Sequence, residues 1–532
     1  MLVLTAVLLL GELSSGIVDP DFWWHLKTGQ YIVTEHRLPV PDPFAYTTAS
    51  APPVSSDEAA TRRFNLTHEW LAQAAWYLIY SAGGFPAVVL WKALLLSLLC
   101  GMSGWVAWRR TASPWWGIAA ALAAAALAIE FDRDRPGILS YVFTAAFVAT
   151  FESRRRLWLL LVLAVVWANC HGGFFLGWIV CGAYTAEALV RRAPDLRRVL
   201  LVSGLAVVLS GLNPNGYAAI ATVLRYQRSP LQSTLIEWSR ADLWGSPYAF
   251  DLLLYGAALA LLLSWKRVLA ADWILFAAFA AASITAFRNE MLIGLLAPVL
   301  IAAYFPWKKW ESLFAKVAIA GLAAVACVNG HFFQLRVAEW RFPAGAAAFL
   351  NQHHISTPLF NTYEYGGYLI WKGQRVFIDG RALSESVFQD YRTILAAPPN
   401  DTARAALLSR YGVGVIVANA FEYNAGTLYP LVLALADWKL VFEDPQALVF
   451  VRDLSPGMVP LDASRLYDHL DAECRLHVEH DPDMPGCART LGDYFLRHGD
   501  RARARRALEL YLEHPYPGDT DARRAYMQLM QQ

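Results

Sequence analysis

Two aspartates and a histidine, Asp19, Asp21 and His25, fall within seven residues, "DPDFWWH", directly after the first apolar run of the chain. Carboxylates beside lipid are costly to keep charged, so such a cluster is a functional candidate by default. Held in a partly dry interfacial cleft, a carboxylate has its pKa raised toward that of a working base; two aspartates one residue apart could instead hold a cation. The bland alternative is that they cap the helix that follows. Further along, the same kinds of residue recur: Glu69 in "THEW", Arg133 and Arg135 in "EFDRDRP", His171 in "NCHGG", and Arg288 with Glu290 in "FRNEM". Each has an ordinary explanation. Glu69 could be a helix N-terminal charge, Arg133 and Arg135 could pair with Asp132 and Asp134, His171 could pack between helices, and Arg288 could pair with Glu290.

The elements that carry these residues decide between the readings. Of 532 residues, 56% are hydrophobic and only 17% charged, where a soluble chain carries about a quarter charged. Apolar runs fall near 2–18, 84–108, 114–130, 137–153, 156–169, 173–190, 199–213, 250–265, 272–287, 291–305 and 313–329, and then stop. This predicts a polytopic α-helical membrane protein of about eleven spans, several shorter than the ~20 residues of an upright crossing. The first run lacks a basic flank and a small-x-small cleavage site, so it reads as a retained helix and not a signal peptide. A net charge of +1 gives no sign of a nucleic-acid partner.

Basic clusters orient the spans: "WRR" at 108–110, "SRRR" at 153–156, "RRAPDLRR" at 191–198, "WKR" at 265–267 and "WKK" at 307–309 lie on alternate connections. The positive-inside rule makes that side cytoplasmic, with the N-terminus inside and everything after residue 330 outside. The candidate residues then converge on the outer face. The first outer loop, 19–83, reads as interfacial helices rich in Trp around a proline-rich segment, "LPVPDPFAYTT". Residues 340–455 alternate helical with short β-rich runs, as in an α/β domain with a small, mainly parallel sheet. Residues 456–532 are helical, with tetratricopeptide-like (TPR-like) hairpin spacing and a surface for a protein partner. No CxxC spacing signals zinc or haem; Cys474 and Cys487 could form a disulfide if the tail lies outside the cytoplasm.

In order along residues 15–415, "DPDFWWHLKTGQYI", "LPVPDPFAYT", "HEWLAQ", "DRPGILSYVF", "WANCHGGFFLGW", "LNPNGY", "FRNEMLIGLLAP" and "YEYGGYLIW…RVFIDGR" resemble the GT-C superfamily of membrane glycosyltransferases, most nearly a bacterial group of predicted multi-span proteins of that type. The resemblance implies an acidic pair in the first outer loop, a polyprenyl-phosphate-linked sugar donor drawn from the membrane lipid, and transfer on the extracytoplasmic face of the bacterial inner membrane. It implies Asp19 or Asp21 as base of an inverting transfer, or the pair as holder of a divalent ion, Mg or Mn, on the donor phosphate. His25, Glu69, Arg133, Arg135, His171 and Arg288 are then candidates for donor phosphate or sugar. Asp379 and Arg381, in "FIDGR", are candidates for the acceptor or alternatively a plain turn. A transporter would need charges buried within spans and internal repeats, and neither is evident. The competing reading is a non-catalytic scaffold that docks partners through the tail.

Overall fold

The computed structural model describes residues 1–50, 52–131, 134–226, 238–241, 243, 248–306, 311–329, 332–338, 341–381, 383–396, 402–419, 438–444, 446–462, 465–480, 482, 485–497, 499–515 and 520–530. Arg133 and the run 428–437 lie outside the described residues. The chain divides into two units: Met1–Val40 with Pro53–Val337, and Pro41–Pro52 with Ala338–Gln532. The proline-rich segment of the first loop thus belongs with the C-terminal unit.

The first unit is helical. It begins with α1 (Leu2–Glu12) and α2 (Phe22–Glu35); α3 (Tyr46–Ser50) belongs to the second unit, and α4 (Ser56–Thr67) returns to the first. Then come α5 (Trp70–Thr111), α6 (Pro114–Ala128), α7 (Ile138–Ser153), α8 (Leu159–Cys170), α9 (Phe175–Val190) and α10 (Leu196–Leu209). The unit closes with α11 (Ala218–Tyr226), α12 (Ala249–Leu263), α13 (Ala270–Thr285), α14 (Met291–Tyr304) and α15 (Glu311–Asn329). Among the described residues three stretches, Ser56–Thr111, Pro114–Phe131 and Gly172–Val190, are long and apolar enough to cross a membrane, and seven shorter apolar helices accompany them.

Local chemistry sets the boundaries. Ser55 accepts the Glu58 N–H and starts α4, with Asp57 and Glu58 in its first turn, where carboxylates favour the helix dipole. Pro114 opens α6 at a position where its missing N–H costs nothing. The expected interfacial helix and the span at 84–108 are one element, α5, broken where Gly84 takes φ +65°, a conformation only glycine adopts freely. Gly29 lets α2 lie directly on α5: a Cβ there would stand 2.0 Å from the Gln73 carbonyl oxygen. That contact fixes the distance between the "WWH" turn and the start of α5.

The second unit holds α16 (Ala344–Gln352), α17 (Gly366–Trp371), α18 (Glu385–Ala396) and α19 (Thr402–Arg410) beside a four-stranded sheet. Its strands are β1 (Leu359–Asn361), β2 (Val415–Asn419), β3 (Lys439–Glu443) and β4 (Ala447–Val451), in the order β1-β2-β4-β3. Only β1 and β2 run parallel; β2–β4 and β3–β4 are antiparallel. The expectation of a mainly parallel sheet is therefore corrected. Three residues separate β3 from β4, and so short a connection permits only antiparallel neighbours. "RVFIDGR" is likewise no regular strand: Val376 makes a single bridge to Ala45 of the inserted segment. Four tail helices, α20 (Leu466–His480), α21 (Gly486–Arg497), α22 (Arg501–Glu513) and α23 (Thr520–Met530), share a core including Leu491, Phe495, Leu508 and Tyr511. A Cys474–Cys487 disulfide ties α20 to α21.

Candidate functional site

Asp19 sits where the linker after α1 is held from two sides. Ile17 bridges Val337, with its N–H bonded to the Arg336 carbonyl at 3.0 Å. On the other side Lys92 of α5 reaches the Ser15 hydroxyl at 2.7 Å and pairs with Asp134 at 3.0 Å, while Asp134 Oδ2 accepts the Val18 N–H. Lys92 and Asp134 are both fully buried. The sequence reading found no charge buried within the apolar runs; Lys92 corrects it. It was legible as the lone charge of the run 84–108.

With the linker pinned, Asp19 and Asp21 converge on one guanidinium. Asp19 Oδ1 accepts the Asp21 N–H at 2.9 Å; Arg135 Nε donates to Asp19 Oδ2 at 2.5 Å, and its Nη1 lies 3.0 Å from Asp21 Oδ2. Asp19 is fully buried and Asp21 partly open. Asp21 occupies the N-cap position of α2 without a side-chain capping bond, so capping does not account for it. Nor does Arg135 pair with its neighbour Asp134, which is taken by Lys92.

Beside this clamp, Glu69 is ringed by three imidazoles. His25 Nδ1 lies 3.5 Å from Glu69 Oε2, and His68 Nε2 and His171 Nε2 lie 3.4 and 3.7 Å from Oε1. Four segments meet here, and each ring is oriented. His25 packs at a tilt against Trp24, with ring centroids 3.5 Å apart, and touches Gln73 Nε2 at 3.2 Å. His68 Nδ1 donates to the Phe64 carbonyl at 2.8 Å. His171 Nδ1 accepts the Gly173 N–H and the Ser140 hydroxyl, itself bonded by Trp167, so His171 presents its Nε2–H to Glu69. Burial pushes His25 down to about 4 and His171 down to about 3, so both are neutral at pH 7. Burial alone would raise the Glu69 carboxyl, but the imidazoles, His68 foremost, hold it well below the usual carboxylate range. His68 escaped the sequence reading, although it adjoins Glu69.

Asparagines of the other connections brace this group. Asn169 accepts the Trp70 indole N–H at 2.8 Å, and Asn215 donates to Thr67 at 2.9 Å. Arg288 stacks over Trp238 at 4.8 Å instead of pairing with Glu290, and its carbonyl accepts the Tyr141 hydroxyl. Its charge reaches His171, whose protonation it disfavours.

A guanidinium lies between Asp19 and Asp21, and among the described residues no three His, Cys, Asp or Glu side chains are grouped to hold an ion. Asp379 and Arg381, in the second unit, are both buried: Arg381 forks onto Asp379 at 2.7 Å and onto Asp42 at 2.7 Å. Burial disfavours the charge on Arg381, but the two carboxylates hold it protonated. Asp42 also accepts the Phe44 and Ala45 N–H groups, so this triad fastens the 41–52 segment to the α/β unit.

The chain thus combines a bundle of apolar helices, with ionisable groups gathered near an acidic pair that follows the first helix, and a small mixed α/β unit. Its fold is similar to that of a solved structure, the archaeal oligosaccharyltransferase AglB from Archaeoglobus fulgidus in complex with an inhibitory peptide and a dolichol-phosphate, which superposes with a TM-score of 0.55 over 90% of this chain and 77% of its own, at 12% identity. No family model and no curated protein matches the sequence.

Proposed function

We propose that the protein is a GT-C-type membrane glycosyltransferase that moves a sugar, with inversion, from a polyprenyl-phosphate donor to a hydroxyl of a lipid, glycan or protein acceptor. The observation that carries this reading is the convergence of Asp19 and Asp21 on Arg135 beside the Glu69–histidine ring, in a fold like that of an oligosaccharyltransferase in complex with a dolichol-phosphate. The leaving group is a lipid phosphate, and its developing charge calls for fixed cations and N–H donors. Arg135, with 30% of its side chain exposed, supplies the nearest charge; Arg288 supplies the other, and His25, Glu69 and His171 are proposed as contacts to the donor's sugar. Asp19, with both oxygens engaged, holds Arg135 in place, and Asp21, partly open, faces the reactants. Arg135, between the two aspartates, is the proposed counter-charge, and a divalent ion, Mg or Mn, on the donor phosphate is the alternative. Asp379 and Arg381 fasten the 41–52 segment and are the residues proposed toward the acceptor.

The site would lie on the extracytoplasmic face of a bacterial inner membrane, with the N-terminus cytoplasmic. The Cys474–Cys487 disulfide supports an oxidising compartment for the tail. The test is a transfer assay on purified protein in nanodiscs with a panel of labelled polyprenyl-phosphate sugars and membrane-glycan acceptors. Turnover that collapses in Asp19→Asn or Asp21→Asn supports the reading; no turnover with any donor, and unchanged lipid binding in both variants, points to a scaffold.

A further inference from the structure

Near the 287–290 turn three carboxyls gather, among the described residues without a counter-charge. Glu290 is fully buried; its Oε2 accepts the Tyr248 hydroxyl at 2.5 Å, and its Oε1 has no hydrogen-bond partner. Asp251, also buried, accepts the Tyr248 N–H with Oδ2 and leaves Oδ1 unpartnered. Glu130 is the third carboxyl, close enough to act on both Tyr248 and Glu290. Among the described residues no Lys or Arg pairs with any of them, and the nearest cation in sequence, Arg288, is turned onto Trp238. Buried carboxylates without partners are expensive, and the cheapest remedy is a proton.

This group is joined to the ring around Glu69. Tyr141, in the first turn of α7, donates to the Arg288 carbonyl, and its neighbour Ser140 holds His171. Resting on the transferase reading, we propose that Tyr248 and Glu290 form the proton relay of this site: the acceptor hydroxyl gives its proton to the oxygen of the half-buried Tyr248 as the Tyr248 proton passes to Glu290. The acceptor oxygen bonds to the anomeric carbon, the bond from that carbon to the phosphate oxygen breaks, and the phosphate leaves with the electron pair. Two observations support Glu290 over the aspartates. The oxygens of Asp19 are engaged by Arg135 and a backbone N–H, and Asp21 shares the same guanidinium. Burial, with Glu130 and Asp251 adding to it against the Tyr248 bond, pushes Glu290 up to about 7, where a general base works best. Burial and Glu290 keep the Tyr248 phenol protonated, as a relay needs.

The experiment has two arms on the full chain in nanodiscs. In the first, an apolar carbodiimide, which modifies protonated carboxyls, is applied from pH 5 to 9 and the adducts are mapped by mass spectrometry. Labelling of Glu290 that falls away around neutrality is expected; labelling of Asp21 with Glu290 untouched overturns the proposal. In the second, Glu290→Gln and Tyr248→Phe are assayed for transfer across the same range. Losses of roughly 10²–10⁴-fold are expected, with donor binding intact, the wild-type rise in rate with pH abolished in Glu290→Gln, and partial rescue in Glu290→Asp. Wild-type turnover with both variants within about threefold and an unchanged pH profile overturns it. If the wild type itself transfers nothing, the transferase reading fails, and the labelling arm still decides whether Glu290 is the proton-holding carboxyl.

Discussion

The helices α5 and α7 each carry a buried ionic cluster at either end, and the two ends are built differently. At the C-terminal end of both, Arg110 forks onto Asp272 at 2.8 and 3.1 Å and onto Glu152 at 2.6 Å. Tyr184 donates to Glu152 and Tyr304 to Asp272, at 2.7 and 2.5 Å. Five helices are joined there by one guanidinium whose two anions are both met by further donors. At the N-terminal end, Glu69 faces imidazoles at 3.4–3.7 Å and Glu290 has an oxygen with no partner. In the first cluster each carboxylate is met by both a guanidinium N–H and a phenol, and among the described residues only Arg110 Nε is left without a partner. The second is held apart by a scaffold of its own, Lys92 with Asp134, and leaves a carboxylate oxygen unmet. A buried carboxylate oxygen without a donor costs stability, and an acceptor left open is what a proton-transfer site needs and a structural weld does not.

Substitutions should break the two ends in different ways. The largest effect is expected from Asp19→Asn, which should lower transfer by roughly 10²–10⁴-fold, about 3–5 kcal/mol of barrier, while thermal unfolding shows a protein still folded. Arg110→Met should do the reverse. It leaves Asp272 and Glu152 without their cation, and breaking a buried pair from one side costs about 3–5 kcal/mol, read as lost thermal stability with any residual activity falling only in step with the folded fraction. If Arg110→Met abolished transfer in a fully folded protein, the contrast between the ends would collapse.

Much of the N-terminal end was legible in the sequence. Asp19, Asp21, His25, Glu69, Arg135 and His171 were visible because charged and imidazole side chains bordering apolar runs are rare and costly, and the structure brings them into one group. What was not legible came from pairing across the chain. Nothing local says that Lys92 reaches Ser15 and Asp134, or that Glu290 chooses Tyr248 over Arg288. The same holds for the sheet: strand-forming runs were recognised, but the direction of β4 depended on a three-residue connection whose flanks read only as β-rich. The role of the 41–52 segment is not legible either, because it rests on Asp42 meeting Arg381, 339 residues away.

A smaller effect sharpens the comparison from outside both ends. Cys474→Ser opens a loop with a sequence separation of 13 and should cost the tail about 3 kcal/mol. That loss should be visible as faster proteolysis after residue 456, with transfer unchanged at the temperature where the tail remains folded.

The smallest expected effect is also the one that distinguishes the ends most directly, through pH. His25 is pushed from 6.5 down to about 4 in the folded state, so between those values the unfolded chain binds more protons and stability is lost as pH falls from 6.5 toward 4. Glu69, held below its ordinary value, adds to that loss below about 4.5. Glu290 works with the opposite sign. Raised from 4.5 to about 7, it binds its proton more tightly when folded, so its contribution is full below 4.5 and is lost as pH rises through 7. Melting temperatures measured from pH 4 to 8 should therefore pass through a maximum between the two limbs. His25→Asn should flatten the acid limb, and Glu290→Gln the limb toward pH 8, each by about 1–4 °C. Arg110→Met should lower the curve across this range, and most toward pH 8, because it leaves two buried carboxylates without the cation that keeps them ionised. A limb toward pH 8 left unchanged by Glu290→Gln would overturn the assignment of Glu290 to the open end.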